Sequence, residues 1–343
     1  MLNDPKMKPD VKYQIEYILN SLKRIHPDTL SAEGIKLDVG PSSGNGGQQM
    51  EATQRLSQYI YMQYYCKGTA PQLLNDTSNP DGTGTDYGAF LEKLRSANKA
   101  AESFGQGWIV HSVEKNGSII AQKYNFLKRV MPGDYIKEGL GNVYPGDRVK
   151  IVARKEWAEE NGSFYYVFGD TISDGDGMGL ARVYINIHPE GSERLIGALN
   201  TCFNKYQIPF QFKCINHPSH YGRADSSVLY LEKRFVRAGL QALARAYPKI
   251  RQHIRAGVPL FCKELGAGIG FAENPPNPAE SFGMSRSSLI AQGVMKAIAS
   301  EERPDSWLDT VMQFIEDKNL SVGQFYLNPN ASFPYQLIDF NQI

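Results

Sequence analysis

The 343-residue chain is short of several things, and each shortage removes a class of function. It has four cysteines, Cys66, Cys202, Cys214 and Cys262, and no two are spaced as a CxxC pair. Such sparse use suits a reducing compartment, with each thiol a small core residue. Six histidines show no HExxH and no Cys/His grouping at zinc spacing, so no protein-built metal site is expected. Charge excess is missing too: 37 Lys and Arg stand against 36 Asp and Glu. That balance offers no broad basic surface to nucleic acid or an acidic membrane, although a local cluster can still hold a phosphate. No apolar run reaches membrane-spanning length. Residues 1–14 are polar and lack the apolar core of a Sec signal, so the expected location is cytoplasmic. A dinucleotide fingerprint is absent as well. Gly266-Ala-Gly-Ile-Gly270 is GxGxG, and a Pro-rich segment at 275–278 follows it in place of a Rossmann helix.

What is present reads as an ordinary soluble chain, 41% hydrophobic and 21% charged, long enough for one large domain or two smaller ones. Val11, Ile15, Ile18, Leu22 and Ile25 recur at helical spacing and predict a helix over 8–26. Residues 50–65, with a Tyr-rich face, and 87–101 predict two more. Polar, Gly-rich loops at 40–47 and 75–84 separate them. From about residue 105 strands begin. Residues 107–113 and 118–123 flank a Lys-Asn-Gly turn and predict a hairpin, and 149–153 and 164–168 read as further strands. The expected architecture is therefore α+β: an N-terminal helical region, 1–104, then a mixed, largely antiparallel sheet flanked by helices over 105–343. Within it, 233–256 predicts a long helix and 258–265 a short strand.

The stretch from Gly179 to Tyr230 concentrates the chemistry. A loose acidic and Gly-rich loop at 169–179 reads as a flap; it lacks EF-hand spacing. Residues 181–188 alternate strictly, so Val183, Ile185 and Ile187 point one way and Arg182, Tyr184, Asn186 and His188 the other. Along 208–216, Phe210, Phe212 and Cys214 share one face, and Gln211, Lys213 and Ile215 the other. A polar turn then returns the chain as an antiparallel neighbour, bringing Arg223 and Asp225 near Lys213. Asp225 either orients Arg223 or simply pairs with it. Lys263 ends the 258–265 strand, and Arg286 lies near the N-terminus of a helix, a natural place for an anion.

Three ordered segments resemble the HopA family of type III effectors and its relatives in bacterial biosynthetic clusters. They are Ile208-Pro-Phe-Gln-Phe-Lys213 with Tyr221-Gly-Arg-Ala-Asp-Ser-Ser-Val-Leu-Tyr230, then Val258-Pro259 with Gly266-Ala-Gly-Ile-Gly-Phe-Ala-Glu-Asn-Pro275, then Ser281-Phe-Gly-Met-Ser-Arg286. Some members of that family are lyase domains of class V lanthipeptide maturation. They eliminate phosphate from phosphoserine or phosphothreonine, after a kinase has added it, to leave a dehydroamino acid. More distantly, the chain is similar to phosphothreonine lyases. The resemblance implies Lys213 as base, Arg223 as first phosphate ligand and Tyr230 at the end of the following strand. The family's acid position, a His, is Tyr184 here, so either Tyr184 or His188 would deliver the proton. Arg286, Lys263, Arg182 and Asn186 would assist at the phosphate. No metal or organic cofactor is needed for such a carbon–oxygen lyase.

Two readings follow. In the first, the chain eliminates phosphate from a phosphorylated precursor peptide, with a separate partner kinase. In the second it is a non-enzymatic HopA-type effector or scaffold that binds a phosphoprotein or host partner, translocated into a host cell. A phosphatase ranks below both, for want of a Cys-x5-Arg loop or a metal cluster.

Overall fold

In the computed structural model the described residues are 10–26, 29–32, 35–38, 46–70, 87–124, 126–158, 162–173, 179–277 and 280–343. Most of the expected loops at 40–47 and 75–84, and residues 174–178 of the expected flap, lie outside them. The α+β expectation holds: the described residues form seven α-helices and three antiparallel sheets, with helices in the N-terminal part.

The centre is a seven-stranded sheet. Its strands are β9 (Glu156–Ala158), β10 (Phe164–Phe168), β11 (Leu180–Ile185), β12 (Gln211–Ile215), β13 (Ser227–Glu232), β14 (Lys263–Gly266) and β15 (Ile269–Glu273). They lie in the order β14-β15-β11-β13-β12-β10-β9, every pair antiparallel. Period-two alternation gives it two apolar faces. On one, Val183, Ile185, Phe212 and Leu229 meet Leu195 and Leu199 of α4 (Pro189–Lys205) and Leu240 and Leu243 of α5 (Val236–Ile250). On the other, Tyr184 and Val228 join a core with α1 (Val11–Ser21), α2 (Gly46–Ile60) and its π-helical extension Tyr61–Tyr65, α6 (Phe282–Ala299) and α7 (Trp307–Glu316). The N-terminal helices thus cover the face that carries Tyr184. On the first face, α3 (Tyr87–Ala97) packs through Phe90, Leu91 and Leu94.

A second sheet, β6-β5-β4-β8-β7, comprises β4 (Ser103–Val113), β5 (Ile119–Lys123), β6 (Phe126–Val130), β7 (Tyr135–Lys137) and β8 (Arg148–Ala153). The expected hairpin is its β4–β5 pair. The sheet carries a small core of its own, Val110, Ile119, Ala121, Val130, Val149 and Ile151. Across it, the Tyr135 hydroxyl donates to the Gly117 carbonyl at 2.8 Å.

Three elements depart from the sequence reading. The first helix stops at Ser21, and Leu22–His26 becomes β1, paired with β2 (Thr29–Ala32), itself paired with β3 (Ile35–Asp38). Ile25, counted in the helical stripe, is exposed. The long helix at 233–256 is shorter: single 3-10 turns bracket α5, and Pro248, which donates no hydrogen bond, lies in its last turn. The strand at 258–265 begins only at Lys263. Upstream, Phe261 has φ +68, Val258 O accepts from Thr69 N at 2.9 Å, and Phe261 N donates to Gln14 Oε1 at 2.8 Å. Those backbone groups serve the N-terminal segment and leave no ladder to form.

Candidate functional site

Strand register decides which expected residues meet. Tyr184 and Lys213 each stand opposite Val228, one on either side of β13. They therefore share a sheet face, with Cα atoms about two strand spacings, roughly 10 Å, apart. Arg182 and Gln211 both stand opposite Tyr230, so those three share that face one pleat along. Lys213 is half-buried, with its ammonium 4.0 Å from the centre of the Phe164 ring. Among the described residues it makes no ion pair.

The arginines are committed internally. Arg223 grips Asp225 with both Nε (2.5 Å) and Nη2 (2.8 Å), and Nη2 also reaches Tyr61 Oη at 2.9 Å. Burial works against its charge, but Asp225 outweighs it and holds the guanidinium above its usual range. Arg182 donates to Asn274 Oδ1 at 2.7 Å and to the Glu280 carbonyl, and lies over the Tyr230 ring. Arg286 does not face outward at the start of α6. It is buried between the Phe282 and Phe325 rings and donates to the carbonyls of Phe325 (2.8 Å) and Leu327 (2.6 Å). Burial pushes it down to about 10, with Glu280 opposing.

Tyr184 is fully buried among aromatic rings, 6.5 Å from both Tyr65 and Phe282, and its hydroxyl has no hydrogen-bond partner among the described residues. Burial raises its pKa, and Arg182 only partly opposes this. The alternating donor face expected over 181–188 ends early, because β11 stops at Ile185. Asn186 is fully buried: Nδ2 donates to the carbonyls of Ala256 (3.1 Å) and Gly257 (3.0 Å), and Oδ1 accepts from Arg255 Nε at 3.1 Å. His188 caps α4, and its backbone N–H donates to the His253 carbonyl at 2.8 Å. Lys263 is exposed and pairs opposite Phe271, which aligns with Val183, so it falls on the other sheet face from Lys213. The site thus joins Lys213, Tyr184, Arg182 and Tyr230 on one face, with the Arg223–Asp225 pair in the turn before β13. It does not gather Asn186, Lys263 or Arg286 to them as ligands.

The Tyr-rich face of 50–65 packs in the core, as the sequence leads one to expect, with Tyr59, Tyr64 and Tyr65 buried. Sequence reasoning missed that Tyr65, stacked on Tyr61, and Phe282 close over Tyr184, and that Arg255 is buried. The GxGxG run carried one usable signal. Gly268 has φ +72, and a Cβ there would overlap the Arg255 carbonyl oxygen, so the glycine spacing serves a backbone contact inside the protein.

Among curated proteins none matches this chain. Two solved structures are similar to it over most of its length. One is the effector protein from Pseudomonas syringae pv. tomato strain DC3000, 15% identical, covering 84% of this chain and 93% of that chain at a TM-score of 0.45. The other is the effector protein from Pseudomonas syringae pv. syringae strain 61, 14% identical, covering 83% and 99%, also at 0.45. The family comparison falls on the sheet just described, with α4, α5 and α6 around it. Residues 158–327 match the model of the HopA1 effector protein family, so about half of this chain is similar to that family.

Proposed function

We propose that this HopA1-type chain is an effector-like binding protein, which engages a phosphorylated segment of a partner through the Lys213 face without eliminating its phosphate. The carrying observation is the state of the acid position: the Tyr184 hydroxyl is sealed beneath Tyr65 and Phe282, where a substrate's leaving group does not reach it. Arg182, Arg223 and Arg286 are spent on internal partners, whereas Lys213, against the Phe164 ring, makes no ion pair among the described residues.

A second reading, β-elimination, has one observation in its favour. Lys213 and Tyr184 flank Val228 on the same face, an arrangement with base and acid on the two strands either side of β13. In that reading Lys213 takes the Cα proton, the C–O bond breaks, and the phosphate leaves with the proton supplied by the acid. Arg223 reaches the phosphate only by releasing Asp225.

One experiment separates the two: incubation with a phosphothreonine peptide, followed by mass spectrometry and by calorimetric titration. Binding without mass change, lost in Lys213→Ala, is the expected result. Loss of phosphoric acid, abolished in Lys213→Ala, would establish elimination. A second prediction concerns the acid position. Tyr184→Phe removes a buried hydroxyl without a partner, and such a group costs about 1–3 kcal/mol to bury. The variant should be as stable as the parent or about 1 kcal/mol more stable in urea unfolding, with binding unchanged.

A further inference from the structure

We infer that the end of the β5–β6 hairpin is a membrane-contacting finger, which sinks an aromatic tip into the surface of an anionic lipid bilayer. Charge is balanced over the whole chain but not here. Between Glu114 and Asp134 stand Lys115, Lys123, Lys128 and Arg129, and no Asp or Glu. The apolar side chains at the turn of this stretch are open to solvent: Tyr124 is 64% exposed, Phe126 55% and Leu127 61%. Three such residues together are more than the scattered exposed apolar side chains of an ordinary surface. Tyr124 also has φ +54, a left-handed backbone that Gly or Asn adopts at less cost. An aromatic ring therefore sits where the turn itself favours a small or polar residue.

Register orders these groups by depth. Lys123 stands opposite Phe126, and Gln122 opposite Leu127. Phe126 and Lys128 thus project from one side of the hairpin, and Leu127 and Arg129 from the other. On each side an apolar residue lies nearer the turn and a cation lies two residues behind it, about 7 Å further back at the rise of a strand. A bilayer surface is layered in the same order. Apolar side chains enter about 5–10 Å into the boundary of headgroups and acyl chains, and cations stay with the phosphates. Tyrosine suits that boundary, with an apolar ring and a wet hydroxyl. An acidic protein surface or a nucleic acid would be met by cations at the tip, and here the tip is apolar.

The cations are placed to meet phosphates. Lys128 is exposed and makes no ion pair among the described residues. Lys123 Nζ is held at the turn by the Gln106 carbonyl at 3.0 Å, beside the Tyr124 ring. Arg129 pairs with Glu114, but the pair is exposed and therefore weak, so a lipid phosphate can replace the carboxylate.

The test sediments the full chain with vesicles of phosphatidylcholine and phosphatidylserine, with phosphatidylcholine alone as control. The expected result is binding to the mixed vesicles only, weakening as salt is raised. Lys128→Glu combined with Arg129→Glu should weaken binding about tenfold or more by charge reversal at an anionic surface. Phe126→Ser combined with Leu127→Ser should weaken it to a similar extent, about tenfold, by removing apolar area from the tip. Both double variants should keep the parent's urea midpoint, since the altered side chains are exposed. In Phe126→Trp, vesicles with brominated acyl chains should quench more emission than in the parent. Lys213→Ala should bind vesicles as the parent does, which keeps the finger apart from the Lys213 face. No sedimentation with the mixed vesicles, equal sedimentation with phosphatidylcholine alone, or no added quenching in Phe126→Trp would overturn the proposal. Binding lost in the glutamate variant but kept in the serine variant would overturn it in favour of an acidic protein or nucleic acid.

Discussion

Glu273→Ala should unfold at a markedly lower urea concentration than the parent, with a loss of about 3–5 kcal/mol, the range for breaking a buried ion pair from one side. The Glu273 carboxylate is fully buried in β15. Oε1 accepts from Lys233 Nζ at 2.8 Å and from the Tyr335 hydroxyl at 2.7 Å, and Oε2 accepts from Asn328 N at 2.9 Å. One side chain thus fastens the entry to α5 and the C-terminal tail to the end of β15. Alanine would leave an ammonium, a hydroxyl and a backbone N–H without their partner at once. Glu273→Gln keeps an oxygen acceptor and loses the charge, so its loss should be intermediate. Limited proteolysis gives a second readout: cleavage within 328–343 should accelerate in the alanine variant. An alanine variant as stable as the parent would show that the Glu273 clasp contributes nothing to stability.

Arg255→Ala should cost a comparable amount, about 3 kcal/mol or more. Arg255 is 5% exposed and has no carboxylate bonded to it among the described residues. Its charge is carried by acceptors instead: Asn186 Oδ1 at 3.1 Å, the Tyr221 carbonyl at 2.5 Å and the Ile187 carbonyl at 3.4 Å. Burial pushes its pKa down to about 10, partly opposed by Tyr221 and Glu190. The guanidinium joins the end of β11, the turn that carries Arg223 and the segment before β14. Its loss should therefore loosen the turn that positions the Arg223–Asp225 pair. Arg255→Met restores apolar volume but none of the hydrogen bonds. Full recovery of stability in that variant would show that packing, and not the bonds, is what Arg255 supplies.

The readable parts of this chain were those set by short-range pattern. Period-two alternation placed Phe212 and Cys214 on one face of β12 and Lys213 on the other, and β13 as its antiparallel neighbour, as found. Pro189 opens α4, and the Lys-Asn-Gly turn makes the β4–β5 hairpin. The misjudged parts depended on distant partners. Ile25 fits a helical stripe, yet the chain turns into β1 and pairs with β2. Val258 to Cys262 have strand-like composition, yet their backbone groups bond to Thr69 and Gln14. Arg286 sits at a helix N-terminus by sequence, yet the tail carbonyls of Phe325 and Leu327 draw it inward.

For the site the division is similar. Sequence alone determined that Arg182, Tyr184 and Lys213 lie on alternating strands with one polar side each, because side-chain direction in a strand follows from parity alone. It also determined the absence of a zinc-type or dinucleotide motif. Only the tertiary structure decided whether those polar side chains face solvent or protein. The π-helical turn Tyr61–Tyr65, which precedes Tyr184 in the chain, and the start of α6, which follows it, close over Tyr184 from distant parts of the sequence. Burial is a sum over all elements packed on a face, and no local pattern around Tyr184 encodes which helix arrives there.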